Sequence, residues 1–286
     1  EEVLKKHAPS LGYIDHLKNN INIEVIRHMN RETSMTKDNV VYRFFKRKNT
    51  VWQIPFRTHR YIQQKKPAII LTHGLIFPLQ VIFLKIAVGK NTKLIVQHHG
   101  ETVVHSKRKI LQQLADKYID AYFFTSKEIA KPWIENKIIS SRDKIFEVLE
   151  AGVEIPLLNK ADCKNKLAVT GENNFLWVGR LNENKDPVTI IKAFQQLLLQ
   201  QPDVKLYMIY QQDDLLPEIN KLVNNNERLQ SAVRLVGSQT KEQLVEWYHA
   251  CDFFILGSHQ EGSGYALLEA MHAGCIPLVT NIPSFK

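Results

Sequence analysis

The chain has 286 residues, of which 44% are hydrophobic and 23% charged; this is long enough for two domains and excludes intrinsic disorder as the main state. Three scattered cysteines (Cys163, Cys251, Cys275) exclude a disulfide framework and a cysteine-based zinc site, and point to a reducing compartment. The net charge of +9 divides into +12 over residues 1–165 and −3 over 166–286, and from Asn39 to Gly100 there are 11 basic residues and no acidic one; that excess fits either a solvated surface or an anionic partner such as phosphate, a membrane surface or nucleic acid.

Taken in chain order, Val3 to Asn19 reads as a helix, and residues 21–28 and 40–45 as strands. The most apolar stretch, Ala68 to Val88, is interrupted by His73, Gly74, Pro78, Gln80 and Lys85, so it reads as a strand, a turn and a helix rather than a membrane span. Strands follow at 93–97, 121–125 and 145–149, separated by helices at 107–118 and 127–136. Residues from about Pro156 to Asn174 are polar and irregular, and a domain linker is expected there. Strands then recur at 175–181, 206–210, 233–237, 252–257 and 276–280, with helices at 186–200, 215–224, 240–250 and 265–273 between them. Two successive runs of alternating strands and helices predict two Rossmann-like parallel-sheet domains facing across a cleft, with boundaries 1–165 and 166–286. Continuous apolar runs such as LIVQ suit a sheet covered on both faces.

Ligands in such sheets bind beyond the carboxyl ends of strands, so the residues after each strand carry the interest. After 252–257 comes Ser258-His-Gln-Glu261-Gly262-Ser263-Gly264-Tyr265, then a helix containing Glu269. Gly262 and Gly264 let backbone N–H groups approach a ligand, and the helix start turns its positive end the same way. Glu269, among Leu267, Leu268, Ala270 and Met271, is costly to bury without hydrogen-bond donors such as sugar hydroxyls; a surface glutamate with a lysine partner is the alternative. After 175–178 come Gly179, Arg180 and Lys185; both cations suit a diphosphate, and both also suit a plain surface. Two His-Gly turns, His73-Gly74 and His99-Gly100, each follow a strand. They can donate to a sugar hydroxyl or phosphate, or serve as structural histidines. His98, His99 and His105 match no zinc-ligand spacing, so no metal is expected. There is no GxGxxG, GxxxxGK[ST] or GxSxG motif, and no RNA- or DNA-binding signature.

Together FLWVGRLNENKDP (175–187) and the block VRLVGSQ…HQEGSGYALLEAMHAGC (233–275) resemble glycosyltransferase family 4, the retaining, nucleotide-sugar-dependent enzymes of GT-B fold. Glu261 and Glu269, with seven residues between them, match its paired-glutamate motif, and TSKEIAKPWI with AGVEIP is similar to the end of its first domain. The resemblance implies a transferase that moves a sugar from a nucleoside-diphosphate-sugar to an acceptor hydroxyl with retention, in glycan, lipopolysaccharide or glycolipid assembly. It implies that Arg180 and Lys185 hold the donor diphosphate and that Glu269 binds the ribose. Glu261, with Gly262, Ser263, Gly264 and Tyr265, would contact the donor sugar, and His99 would face that sugar from the first domain. Gly179 belongs to the phosphate loop, and Val236 and Gly237 would lie near the base. No prosthetic group or metal is implied, and no protein nucleophile.

The expected partners are a nucleotide-sugar donor, a saccharide or lipid-linked acceptor and an anionic membrane surface, with no nucleic acid. The expected location is cytoplasmic, peripheral at the inner face of the membrane. The sequence departs from the family at Tyr210-Gln211-Gln212-Asp213, at Gly257 and at Ser263. Relative to the family, both ends read as truncated. A GT-B epimerase and a nucleotide-sugar-binding pseudoenzyme subunit are the competing readings.

Overall fold

The computed structural model describes residues 12–46, 52–103, 107–148, 152–153 and 155–286. It divides into two units, Glu1–Gly152 and Val153–Lys286.

The first unit runs α1 (Gly12–Leu17), β1 (Glu24–Met29), β2 (Thr33–Lys37), β3 (Val40–Lys46), α2 (Phe56–Lys65), β4 (Ile69–His73), α3 (Pro78–Val88), β5 (Lys93–Gln97), α4 (Lys107–Asp116), β6 (Ala121–Phe124), α5 (Lys127–Glu135) and β7 (Ile145–Glu147). Strands β4-β5-β6-β7 form a parallel sheet in sequential order. Its apolar runs explain its place: Leu94 and Val96 on β5, and Phe124 on β6, are at most 1% exposed. Helix α3 begins with Pro78, whose missing N–H costs nothing at a first turn, and is followed by Gly89. Helix α5 is capped by Ser126, whose hydroxyl accepts from the Ile129 N–H.

The N-terminal strands form a separate sheet, ordered β1-β3-β2. Strand β3 is parallel to β1 and antiparallel to β2. The β2–β3 turn at Asp38-Asn39 has φ of 50° and 65°, the left-handed geometry that two-residue hairpins require. The helix expected over 3–19 is described only as Gly12–Leu17; residues 1–11 lie outside the described residues.

The second unit runs α6 (Lys160–Leu167), β8 (Asn174–Gly179), α7 (Pro187–Leu197), β9 (Lys205–Tyr210), α8 (Leu216–Asn224), α9 (Glu227–Ala232), β10 (Val233–Gly237), α10 (Lys241–Ala250), β11 (Phe253–Leu256), α11 (Tyr265–His272) and β12 (Ile276–Val279). Its five strands form one parallel sheet ordered β10-β9-β8-β11-β12. Leu176, Trp177, Met208 and Phe254 are wholly buried within it. The chain steps from β8 outward to β9 and β10, then returns to the other side of β8 with β11. The strand order reverses between β8 and β11, and loops leaving such a point part to leave a crevice at the carboxyl edge.

The boundary between the units corrects the expected one at 165/166, and the expected linker contains a helix. Asn159 caps α6 by accepting from the N–H groups of Ala161 and Asp162 at 2.9 and 3.1 Å. Cys163 is its one buried residue. Lys160 and Lys164 reach Asp252, and Lys166 reaches Glu246 on α10, so the helix is fastened to the second unit by charge rather than by an apolar stripe. That is why it reads as linker in sequence.

Candidate functional site

The loop after β8 is held by its backbone and one apolar anchor. Leu181 is wholly buried. Its N–H donates to the Gln212 carbonyl, and its carbonyl accepts from the Leu215 N–H, both at 2.9 Å. The unusual 210–213 segment thus serves as the backbone partner of this loop. Gly179 sits at a close approach, since a Cβ there would lie 3.0 Å from the Trp177 ring, which would have to give way. Asn182 accepts from the Lys185 N–H at 3.1 Å and starts a 3-10 turn over Glu183–Lys185. Asp186, at φ 42°, then caps α7 by accepting from the Thr189 N–H.

The loop after β11 is fastened to it. The His259 N–H donates to the Asn184 carbonyl at 2.8 Å, and the Asn184 side chain donates to the Gln260 carbonyl at 2.9 Å. A Cβ on Gly257 would lie 3.3 Å from the Asp186 carbonyl oxygen, so the loops touch at backbone level. Ser258 is wholly buried and donates to Glu261 Oε1 at 2.7 Å. The Lys185 ammonium takes the same carboxylate oxygen. The Ser284 hydroxyl donates to the Glu261 carbonyl at 2.5 Å. Glu261 is therefore fixed from three directions before any ligand arrives.

Arg180 is exposed, and no polar partner engages its guanidinium among the described residues. Helix α11 starts on Gly264, at φ 66°, with no side-chain cap. A Cβ on Gly264 would meet the Phe285 ring at 2.7 Å. Gly262, Ser263 and Tyr265 lie with it in the half-buried turn. One turn further on, burial pushes the Glu269 carboxyl above the usual glutamate range, against the opposing pull of Tyr248 and Lys241. Tyr248, buried on α10, faces that carboxylate. Val236 and Gly237 end β10, two strands from β8 and so roughly 10 Å along the same edge.

The structure thus brings Lys185 and Glu261 into contact and sets Arg180, Gly179 and the α11 turn at the same strand ends. One of the three hydrogens of the Lys185 ammonium is given to Glu261, which leaves two for another partner. The sequence reading missed Ser258, Asn184, Ser284 and Tyr248. A serine three residues before a glutamate was the one local signal among them.

In the first unit, His73 ends β4 and His99 follows β5. Their rings stack at 5.0 Å between centroids, and His73 Nδ1 lies 2.8 Å from His99 Nε2. Glu101 joins the two His-Gly turns, accepting from the His99 N–H at 2.8 Å and the Leu75 N–H at 3.2 Å. His98 is structural. It is 1% exposed, stacks on Phe124, accepts from the Gly100 N–H through Nδ1 and donates through Nε2 to the Glu101 carbonyl. His105 lies outside the described residues. Among the described residues no group of three metal-ligating side chains converges.

Residues 159–286 match the family Glycosyl transferases group 1. Over 140 residues the chain is 32% identical to the GDP-mannose:cellobiosyl-diphosphopolyprenol alpha-mannosyltransferase of Xanthomonas oryzae pv. oryzae, covering 49% of this chain and 36% of that one. Over 145 residues it is 28% identical to the UDP-Gal:alpha-D-GlcNAc-diphosphoundecaprenol alpha-1,3-galactosyltransferase of Escherichia coli, covering 48% and 37%. The chain matches just over a third of the length of these curated relatives. A trehalose-6-phosphate synthase, solved in a study of glycosyltransfer with retention, superposes with a TM-score of 0.75 at 12% identity, covering 96% of this chain and 82% of that one. The fold is GT-B, with two Rossmann-like units.

Proposed function

We propose that this chain, which over residues 159–286 is matched by glycosyl transferases group 1, moves a hexosyl group from a nucleoside-diphosphate-sugar to an acceptor hydroxyl with retention. The observation that carries the reading is the Lys185–Glu261 contact at the point where the strand order of the second sheet reverses.

A leaving diphosphate develops negative charge as the bond from the sugar C1 to the phosphate oxygen breaks. Arg180 offers a planar fork to it, Lys185 keeps two of its three donors, and the uncapped start of α11 adds a positive dipole end. Preorganised donors of this kind stabilise charge where it forms. The electron pair leaves on the phosphate oxygen. The acceptor oxygen bonds to C1 on the face just vacated, and its proton passes to the departing phosphate oxygen, so no protein nucleophile is required. Glu261, held by Ser258, addresses the sugar hydroxyls, and Glu269 takes the ribose hydroxyls. Val236 and Gly237 border the base.

In this reading the second unit serves the donor and the first unit serves the acceptor. The two relatives are named for diphosphopolyprenol and diphosphoundecaprenol acceptors, which supports a lipid-linked saccharide acceptor; the reading places the transfer at the cytoplasmic face of a membrane, in glycan or glycolipid assembly. No prosthetic group or metal enters the reaction.

A panel of UDP-, GDP- and ADP-sugars tests the reading. One donor is expected to raise the unfolding midpoint by mass action and to support transfer to a polyprenyl-diphosphate saccharide. Turnover of that donor without acceptor would replace the reading by an epimerase, and binding without turnover would replace it by a pseudoenzyme.

A further inference from the structure

We propose that the outward face of α2, α3 and α4 in the first unit is a docking surface for an anionic lipid bilayer. This deepens the membrane-surface acceptor reading above and rests on it for its purpose, although the surface is tested without any transfer.

Six large apolar side chains stand out of this face: Trp52 is 53% exposed, Phe56 64%, Phe83 38%, Ile86 60%, Ile110 60% and Leu114 43%. They belong to adjoining elements, since α2 packs on α3 and α3 on α4. The Phe56 and Phe83 rings meet edge to face at 6.0 Å, joining α2 to α3 in the open. Ile86 lies one turn beyond Phe83, and Ile110 and Leu114 lie four residues apart on α4. The Arg108 guanidinium sits 5.0 Å above the Trp52 ring, joining the start of α4 to the segment before α2. Scattered apolar residues on a surface are ordinary, but aromatic residues in contact across neighbouring helices mark a surface with a partner.

Charge identifies the partner. Among the side chains described, the three helices carry six Lys or Arg, namely Arg57, Arg60, Lys65, Lys85, Arg108 and Lys109, against one acidic residue, Asp116. Asp116 is 3% exposed and bound by Tyr122 and Lys144, so it does not face out. Lys85 and Lys65 are drawn to Asp120 and Glu24, while Arg57 shares a loosely held, exposed Glu32. What remains outward is cationic and apolar together. That combination suits a bilayer, whose lipid phosphates take the cations while the rings and aliphatic chains enter the headgroup–acyl boundary. An acidic protein would match the charge and leave the apolar stripe unused. No helix among the described residues is long and apolar enough to cross a membrane, so attachment through this face is to the surface.

Trp52 makes the proposal testable at one site. The other three tryptophans, Trp133, Trp177 and Trp247, are at most 2% exposed, so a change in emission on binding reports Trp52. The 286-residue chain is floated with phosphatidylcholine vesicles, with and without phosphatidylglycerol, and its fluorescence is read with brominated lipids. Binding is expected to be about tenfold or more tighter to the anionic vesicles, with a blue shift and bromolipid quenching that disappear in Trp52→Phe. The double variant Phe56→Ser/Phe83→Ser is expected to lose at least about tenfold of the binding. Because Phe83 is 38% exposed and its ring meets Phe56, the unfolding midpoint falls somewhat, and binding is compared well below it. The milder Phe56→Ser alone, at a position 64% exposed in the parent, is expected to lose part of the binding while staying folded. Four outcomes would overturn the proposal: no vesicle binding, equal binding to neutral and anionic vesicles, an unquenched Trp52, or capture by poly-glutamate but not by vesicles. Vesicle binding without transfer would leave the surface standing and remove the transferase reading; transfer to a soluble acceptor without vesicle binding would do the reverse.

Discussion

The Lys185 ammonium rests on the Glu261 carboxylate, 76 residues away in sequence, and so joins the loop after β8 to the loop after β11. Both side chains are largely withdrawn from solvent, at 18% and 14% exposure. Removing either leaves a poorly solvated charge behind. Lys185→Ala and Glu261→Gln are each expected to destabilise the fold, and a double-mutant cycle by chemical denaturation is expected to give a coupling of about 0.5–3 kcal/mol. A coupling near zero would mean that the contact does not order the site. Lys185→Ala is also expected to lower kcat by about a hundredfold or more, as loss of a leaving-group donor does.

Arg180 separates the catalytic claim from the structural one. It is exposed and unshared among the described residues, so Arg180→Ala is expected to leave the unfolding midpoint within about 0.5 kcal/mol of the parent while transfer is lost. A variant that transfers at the parent rate would remove Arg180 from the diphosphate site.

Gly264 combines a left-handed backbone, φ 66°, with a 2.7 Å approach of the Phe285 ring to the position its Cβ would take. Gly264→Ala is expected to cost about 1–3 kcal/mol. Phe285→Leu in the same chain is expected to recover the part due to the clash and leave the part due to φ. Urea midpoints of the three variants measure the split.

Much of this site was legible in sequence because its chemistry is local. Glycines, cations and carboxylates lie next to strand ends that apolar runs announce. The Lys185–Glu261 pairing was not legible, because it depends on β8 and β11 being neighbours, and strand order is a property of the folded sheet. The His73–His99 contact is hidden for the same reason, since it needs β4 beside β5. Elements were missed where burial does not dictate them. Strand β2 reads TSMTK, exposed at four of its five positions. Helix α2 has no acidic first turn and no side-chain cap, and α6 buries Cys163 alone. The ion pairs that fasten α6 reach Asp252 and Glu246, which no local window contains.

Asp120, just before β6, fastens that strand to the start of β5 and to α3. Burial pushes its carboxyl up, but the Lys85 ammonium, the Leu94 N–H and the Lys93 ammonium outweigh that and hold it at about 2. A carboxyl whose folded value lies below its unfolded one stabilises the fold while ionised. With solvent screening allowed for, the contribution is about 1–2 kcal/mol. It is fully present above about pH 5 and is lost as pH falls toward 2. Asp120→Asn is expected to lower stability at neutral pH and to flatten the fall of the urea midpoint between those values. An unchanged slope would show that other carboxylates carry the acid sensitivity.

Glu269 shifts the opposite way. Its carboxyl is raised by burial, with Tyr248 and Lys241 pulling it down less strongly, so it takes up a proton at a higher pH than a free glutamate. The ionised form accepts hydrogen bonds from ribose hydroxyls, whereas the protonated form must give up part of that capacity. The KM for the donor is therefore expected to rise as pH falls through the raised value, with kcat less affected. Tyr248→Phe removes a hydroxyl that opposes the rise, so it is expected to move the inflection to higher pH. Glu269→Gln should abolish both the inflection and most of the transfer while leaving the fold intact. A Glu269→Gln variant that keeps the inflection at parent-like rates would place the titrating group elsewhere and remove Glu269 from the ribose site.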